Sequence, residues 1–210
     1  MGEQDHETRA RVLNAAARLF AERGFAKVTV REICKKARAN VAAVNYHFGG
    51  KDGLYHAVMR MAIETMQATT DEAQTAGRGL SPEERLRAYV SVFLNRILGK
   101  SHDTWIHQLM LRELSDPTPA LDMVAEDVLR PRTAYLCGVI GELIGCRADS
   151  PVVMRCALSV QSQFNSMLWG QGVATLMHVA EMPAPTLDEI AEHITKFSLG
   201  GIAAMTSVRR

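Results

Sequence analysis

Hydrophobic residues recur at intervals of three and four along almost the whole chain, which is the spacing of one face of an α-helix. In the first segment Val12, Ala16 and Phe20 fall on such a stripe. Gly24 follows it as a helix-ending signal. Runs of alternating β-branched residues bounded by turns, the pattern typical of strands, are nearly absent. The pattern therefore predicts an all-α protein with about nine helices.

Polar residues that cap helix ends divide this pattern into separate elements. A Ser or Thr three residues before a Glu satisfies free backbone N–H groups at a helix start and forms a capping box. Asn40 is a further N-cap candidate, and it opens a short helix that runs to about Phe48. Pro131 lies within a helical pattern and should kink or split that helix. The predicted capping boxes are Thr29 with Glu32, Ser81 with Glu84 and Thr186 with Glu189.

The first three predicted helices are short or closely spaced and match a helix-turn-helix in outline. The second helix of such a pair lies in the DNA major groove, so its outer face has to be small enough to approach base edges. Residues 41–43, Val-Ala-Ala, meet this condition. Val44 and Phe48 are four residues apart and can anchor the same helix to a core. The short third helix is therefore the candidate DNA-reading element.

Hydrogen-bond donors surround this short helix. Asn45, Tyr46 and His47 lie on its other side and suit phosphate oxygens. Lys51 stands at the start of the following helix, where free backbone N–H groups and the helix dipole already favour an anion. The segment has the chemistry to lie in a groove and to be held there through phosphates.

The charge of the chain is distributed unevenly. Residues 1–60 contain 11 Lys and Arg against six Asp and Glu, whereas the remaining 150 residues contain 13 against 17. A polyanionic partner is therefore expected for the first part. No apolar run approaches the ~18 residues that span a bilayer, and the first residues are too polar for a secretory signal. The four cysteines fit a reduced set, so a cytoplasmic protein without a membrane partner is expected.

A set of residues between Thr8 and Leu54 forms a recognisable pattern: Thr8-Arg9, VLNAAARLF at 12–20, Gly24, Thr29-Val30, Ile33-Cys34, Ala37, Tyr46-His47-Phe48, Lys51 and Leu54. This run resembles the DNA-binding domain of the TetR family of transcriptional regulators. The resemblance implies a DNA-binding repressor, not an enzyme, that leaves a palindromic operator when a small, largely apolar ligand binds. Arg38 stands where the family prefers glycine, and Asn45 replaces the usual tyrosine.

This resemblance also implies roles for particular residues and a division of the chain. Residues 1–54 would form the DNA-binding domain, with a linking helix to about residue 76, and residues 80–210 a helical domain for ligand binding and dimerisation. The DNA-binding set is completed by Asn40, the cap of the reading helix. The expected phosphate contacts are Thr29, Arg31, Asn45, His47 and Lys51, and the expected base contacts are Val41, Ala42, Ala43 and Tyr46.

The second part of the chain carries signals of a dimer and of a ligand site. The last two predicted helices, from 151 to about 180 and from 187 to about 206, are apolar and rich in Gly and Ala, so two copies can pack closely as a homodimer. Residues 111–132 are similar to the CecR-like subgroup of the family. No cofactor or metal is expected. The ligand-site candidates are Trp105, Met110, Arg112, Phe164, Asn165 and Trp169, apolar residues with a few polar ones among them.

Three alternatives remain open at this point. An enzyme would be expected to show a nucleophile, phosphate-loop or zinc motif, and none is found. A metal sensor could use Cys137, Cys146 and Cys156, although these lie nine and ten residues apart in predicted core helices. An adaptor that has the fold without the DNA activity would be consistent with Arg38 and Asn45.

Overall fold

The computed structural model of the chain describes residues 3–98, 104–176 and 185–206, and in these ranges every side chain except those of residues 3, 104, 165–176 and 206. Every regular element in these ranges is helical, which confirms the predicted class. The helices are α1 (Glu3–Arg23), α2 (Val30–Ala37), α3 (Val41–Phe48), α4 (Lys51–Ala76), α5 (Pro82–Leu98), α6 (Thr104–Ser115), α7 (Ala120–Val124), a π turn (Ala125–Leu129), α8 (Arg130–Ile144), α9 (Pro151–Leu176) and α10 (Leu187–Thr206). Because α7, the π turn and α8 are continuous, the described ranges contain nine helical runs.

The helix ends follow the predicted caps. The Ser81 hydroxyl donates to the Glu84 carboxylate at 2.7 Å and accepts from the Glu84 backbone N–H at 3.3 Å. Thr186 and Glu189 make the same pair of bonds before α10. The interruption predicted at Pro131 takes the form of the π turn immediately before α8. A wider turn at this place accommodates a residue that has no N–H to donate.

The chain divides into two compact units by its internal contacts. The first unit contains residues 3–66 and 104–127 of the described ranges, and the second contains 67–98, 128–176 and 185–206. The predicted division into a DNA-binding domain up to residue 54 and a regulatory domain from residue 80 concerns function and stays a prediction. Within the described residues, none of the helices has the length and apolar character required to cross a membrane.

In the first unit, α1 packs against α2, α3 and α6. Phe20 of α1 is fully buried and meets Tyr55 of α4 edge to face, with ring centroids 5.0 Å apart. The Tyr55 hydroxyl donates to the carboxylate of Glu113 in α6, which is 2% exposed. Glu113 also accepts from the Thr118 backbone N–H at 2.8 Å. The buried carboxylate is thus satisfied, and it links α4 and α6.

In the second unit, α5 packs against α8, α9 and α10. The apolar stripe predicted for α5 lies in this core, where Leu86, Tyr89 and Val90 are completely buried. The Tyr89 and Phe93 rings are tilted by 37° with centroids 4.4 Å apart, and both rings approach Phe164 of α9. An aromatic cluster therefore occupies the centre of this unit.

Candidate nucleic-acid interface

The start of α2 is held by side-chain hydrogen bonds. Its N-cap Thr29 donates its hydroxyl to Glu32 at 2.7 Å and accepts from the Glu32 backbone N–H at 3.3 Å, which confirms the predicted capping box. Arg23 at the end of α1 donates to the other Glu32 oxygen at 2.7 Å. The hydrogen bond from Thr29 and then that from Arg23 lower the pKa of Glu32 from 4.5 to about 2. The Glu32 carboxylate therefore stays ionised, and keeps these hydrogen bonds, at pH values well below neutral.

α3 begins at the predicted cap, since the Asn40 side chain accepts from the Ala42 backbone N–H at 3.0 Å. Of its eight residues, Val44 is the buried one and has no exposed surface. Val41 and Tyr46 are 41% and 74% exposed. Asn45 and Ala42 are also exposed, and Ala43 is partly exposed. The short helix thus presents its small residues and one tyrosine outward, as the predicted base-facing set requires, and its base contacts stay a prediction.

The turns on either side of α3 depend on unusual backbone conformations. Arg38, the C-cap of α2, has φ +50°, the left-handed region that the family's glycine would occupy without strain. Gly49 has φ +73° at the C-cap of α3. A Cβ on Gly53 would lie 1.8 Å from the carbonyl oxygen of Phe48. α4 can therefore start directly against the end of α3 because residue 53 has no side chain.

The predicted phosphate contacts have different environments. Thr29 and Arg31 are exposed near the start of α2, although the Thr29 hydroxyl already serves the cap. The Lys51 ammonium lies over the Phe25 ring, 4.3 Å from its centroid, at the start of α4. This contact holds the lysine at a helix N-terminus, where it adds charge to a place that favours anions.

His47 is placed differently from the other predicted contacts. Its side chain is 5% exposed, and its Nε2 lies 3.2 Å from Oδ1 of Asp5 in α1. Asp5, Gln4 and Thr8 line an open pocket of about 580 Å³ together with Ala42, Ala43, Tyr46 and His47. Gln4 and Asp5 were not predicted from the sequence, because no helical period or motif relates them to α3, and Thr8 was noted only as part of the family pattern. Their pairing arises from the packing of α1 on α3.

The ligand-site candidates lie in both units. Trp105 and Met110 are partly buried in α6. Arg112 is exposed and donates to the backbone oxygens of Ala21, at 2.8 Å, and Glu22, so it satisfies carbonyls of the last turns of α1. Phe164 is buried in the aromatic cluster of the second unit. The side chains of Asn165 and Trp169 are outside the described set, and the ligand site stays a prediction.

Polar groups also converge in the core of the second unit. The Tyr89 hydroxyl is buried without a hydrogen bond of standard geometry, and burial raises the pKa of Tyr89 to about 12. The Arg132 guanidinium lies over the Phe93 ring at 4.6 Å from its centroid and donates to Thr70 Oγ1 at 3.4 Å. Gln161 donates to Thr133 Oγ1 at 3.4 Å nearby. Neither Tyr89 nor Arg132 was predicted as a site residue, since both have the sequence context of ordinary helix residues.

Two known families match the chain in succession. Residues 12–58 match the family described as bacterial regulatory proteins, tetR family. Residues 82–202, more than half of the chain, match the C-terminal domain of the HTH-type transcriptional dual regulator CecR. The chain therefore belongs to the TetR family of DNA-binding transcriptional regulators and has a C-terminal domain of the CecR type. This confirms both resemblances found in the sequence.

Individual relatives agree with this assignment. CecR of Shigella flexneri is 28% identical over 151 residues, which are 68% of this chain and 67% of that protein. BetI, a transcriptional regulator of Burkholderia ambifaria (strain MC40-6), is 30% identical over 115 residues, 50% of this chain and 59% of that protein. Both relatives are transcriptional regulators.

Solved structures share the fold. A TetR-like transcriptional regulator from Rhodococcus sp. RHA1 has a TM-score of 0.66 at 20% identity and covers 93% of this chain and 96% of its own. PfmR, a TetR family transcriptional regulator from Thermus thermophilus, has a TM-score of 0.63 at 20% identity, with 90% and 97% covered. Proteins of this family bind DNA and act as dimers.

Proposed function

We propose that the protein is a cytoplasmic repressor that holds a palindromic operator as a homodimer and releases it when a small, largely apolar ligand binds. The main support for this proposal is the outward face of α3, where small residues and Tyr46 are presented to solvent while Val44 anchors the helix. In a dimer, two such helices can occupy successive major grooves about 34–36 Å apart. Ligand binding would favour a dimer whose reading helices have a different spacing, which shifts the population away from DNA.

The DNA part of the proposal is tested by titrating the protein with duplexes from its own promoter region at several salt concentrations. Lys51→Ala removes one phosphate-directed charge without touching the outward face of α3. It should weaken binding to all sequences alike and reduce the slope of log affinity against log salt by about one. A change in sequence preference with an unchanged slope would contradict the phosphate role of Lys51. Absence of binding by the unaltered protein would favour the adaptor alternative.

The dimer is proposed to form through α9 and α10. On α10, Phe197 and Met205 are 66% and 46% exposed and lie on one stripe with Gly201, where a Cβ would meet nothing within 4 Å. On α9, Met154 and Leu158 are 40% and 54% exposed and one turn apart. Two exposed apolar stripes on neighbouring helices are typical of an interaction surface.

This interface is tested by Gly201→Arg, which places a long cationic side chain in the middle of the α10 stripe. The variant should be monomeric at micromolar concentration by sedimentation and should lose affinity for a full operator. Gln74→Arg is the matched control, because it adds the same charge at an exposed position of α4. A Gly201→Arg monomer that still binds the full operator tightly would contradict the interface.

The effector is proposed to bind an apolar region that contains a small number of polar groups. The buried Tyr89 hydroxyl in the aromatic cluster offers a hydrogen bond to an acceptor on such a ligand. Compounds that release DNA should change the fluorescence of Trp105 or Trp169, and silence of both would place the ligand elsewhere. Tyr89→Phe keeps the ring and should weaken an acceptor-bearing effector by roughly threefold to tenfold. Unchanged affinity would remove Tyr89 from the site.

A further inference from the structure

The first turns of α1 border the same groove as the outward face of α3. The open pocket of about 580 Å³ has Gln4, Asp5 and Thr8 on one side and residues 42, 43 and 46 on the other. The match to the TetR DNA-binding family begins at residue 12. Two residues of the wall formed by α1, Gln4 and Asp5, therefore precede both this match and the run from Thr8 that resembles the family.

Asp5 occupies a particular position in this wall. One of its oxygens engages Nε2 of His47 at 3.2 Å, and the imidazole is almost completely covered. The Asp5 side chain is itself 29% exposed, so part of its carboxylate faces the groove. Groups bound in the groove next to Ala42, Ala43 and Tyr46 would meet a hydrogen-bond acceptor that carries negative charge.

Glu7, the neighbouring acidic residue of α1, pairs with a residue of its own helix. Glu7 accepts from Arg11 at 3.0 Å on the surface of α1, and its side chain is 66% exposed. Arg11 also donates to the Thr8 hydroxyl at 3.2 Å, and that hydroxyl donates to the backbone oxygen of Gln4 at 2.9 Å. Glu7 does not line the groove. Two carboxylates half a turn apart on α1 therefore differ in whether they face the reading helix.

We propose that the start of α1 is a second DNA-reading element and that Asp5 is a specificity-determining residue. This inference rests on the proposed DNA-binding function. In the major groove a carboxylate accepts a hydrogen bond from the amino group of cytosine N4 or adenine N6, whereas it repels guanine O6 and N7 and thymine O4. A carboxylate also repels the phosphate groups of DNA, so Asp5 lowers the affinity for DNA of every sequence. The pair with Asp5 makes His47 a positioning contact between α1 and α3.

The inference is tested by selecting duplexes from a randomised pool with the full-length protein and with single variants. Wild type should show at least one operator position at which bases with amino groups are preferred over keto bases by about tenfold. Asp5→Asn should lose this preference and bind more tightly to keto-bearing operators. Glu7→Gln removes the same charge from the same helix, so it should raise affinity for all operators without altering their order. Asp5→Glu keeps the carboxylate and should retain the preference.

The outcomes separate this inference from the function on which it rests. If Asp5→Asn and Glu7→Gln raise affinity alike and leave the order of operators unchanged, Asp5 acts through charge alone and the inference is wrong. Loss of the preference in Asp5→Glu as complete as in Asp5→Asn would also overturn it. A wild-type protein that selects no sequence would contradict the proposed function and this inference together. Urea unfolding of each variant shows whether the fold is intact.

Discussion

The two helices of the helix-turn-helix, α2 and α3, are both eight residues long, but they differ in how many of their side chains are buried. α2 buries Ile33, Cys34 and Ala37, whereas α3 buries Val44 alone among its eight residues. α2 can be stabilised by the core it enters, because buried apolar surface is the main favourable contribution to folding. α3 gains much less of this stabilisation, because most of its side chains face outward. The comparison shows which helix supports the unit and which is free to contact a partner.

The two helices also differ in the contacts that hold their ends. α2 starts with a capping box reinforced by Arg23, whereas α3 starts with a single side-chain cap, in which Asn40 accepts from the Ala42 backbone N–H. α3 ends at Phe48 with Gly49 as its C-cap, and the Phe48 carbonyl lies against Gly53 of α4. A helix with one buried side chain therefore depends on its neighbours at both ends.

The largest expected effect comes from emptying the buried side of α2. Ile33 has no exposed surface, so Ile33→Ala should cost about 2–5 kcal/mol of unfolding free energy, through lost burial and the cavity left behind. Val44→Ala, the matched change in α3, should cost about 2 kcal/mol, because it removes less apolar volume. Urea unfolding measures both. A larger loss for Val44→Ala would contradict the contrast between the helices.

The next effect concerns the junction of α3 and α4. Gly53→Ala places a Cβ against the Phe48 carbonyl, and the overlap should cost about 1–3 kcal/mol, at the upper end of that range because backbone has to move. Gly138→Ala in α8 is the control, since nothing lies within 4 Å of a Cβ there. It should be neutral or stabilising by up to about 1 kcal/mol, as Ala favours helix. Equal responses to the two changes in thermal unfolding would show that the junction is not tightly packed.

The smallest effect concerns the turn between the two helices. Arg38→Gly relieves a left-handed conformation that costs an ordinary residue roughly 1–2 kcal/mol and adds roughly 0.5–1 kcal/mol of chain entropy cost, so a net gain of about 0.5–1 kcal/mol is expected. Gly49→Ala makes the opposite change at φ +73° and should lose about 1 kcal/mol. A destabilised Arg38→Gly variant would mean that the Arg38 side chain contributes more than its backbone strain costs.

Local sequence signals predicted the helices and the reading element because each depends on residues close in the chain. The boxes at Thr29, Ser81 and Thr186 involve partners three residues away. Arg38 stands where the family prefers glycine, and its backbone has the left-handed conformation that favours glycine. The outward direction of Ala42 agrees with the burial of Val44, one of the two residues expected to anchor α3, whereas Phe48, the other, is only partly buried.

Contacts between distant segments were not predictable in this way. The Asp5–His47 pair joins residues 42 positions apart, and Arg112 reaches the end of α1 from α6. The phosphate contact of His47 and the ligand contact of Arg112 were inferred without these partners, and both stay predictions. Which partner such a side chain finds depends on how the helices pack, and a helical period carries no information on that.

The central claim, that the outward face of α3 contacts DNA bases, is tested most directly by photochemical crosslinking. Duplexes selected by the protein are prepared with 5-iodouracil in place of thymine, and the crosslinked peptide is sequenced by mass spectrometry. Tyr46, 74% exposed on α3, should be crosslinked, whereas Phe197, 66% exposed on α10, should not. Crosslinking through α10, or selection of duplexes with no crosslink anywhere in α3, would contradict the account.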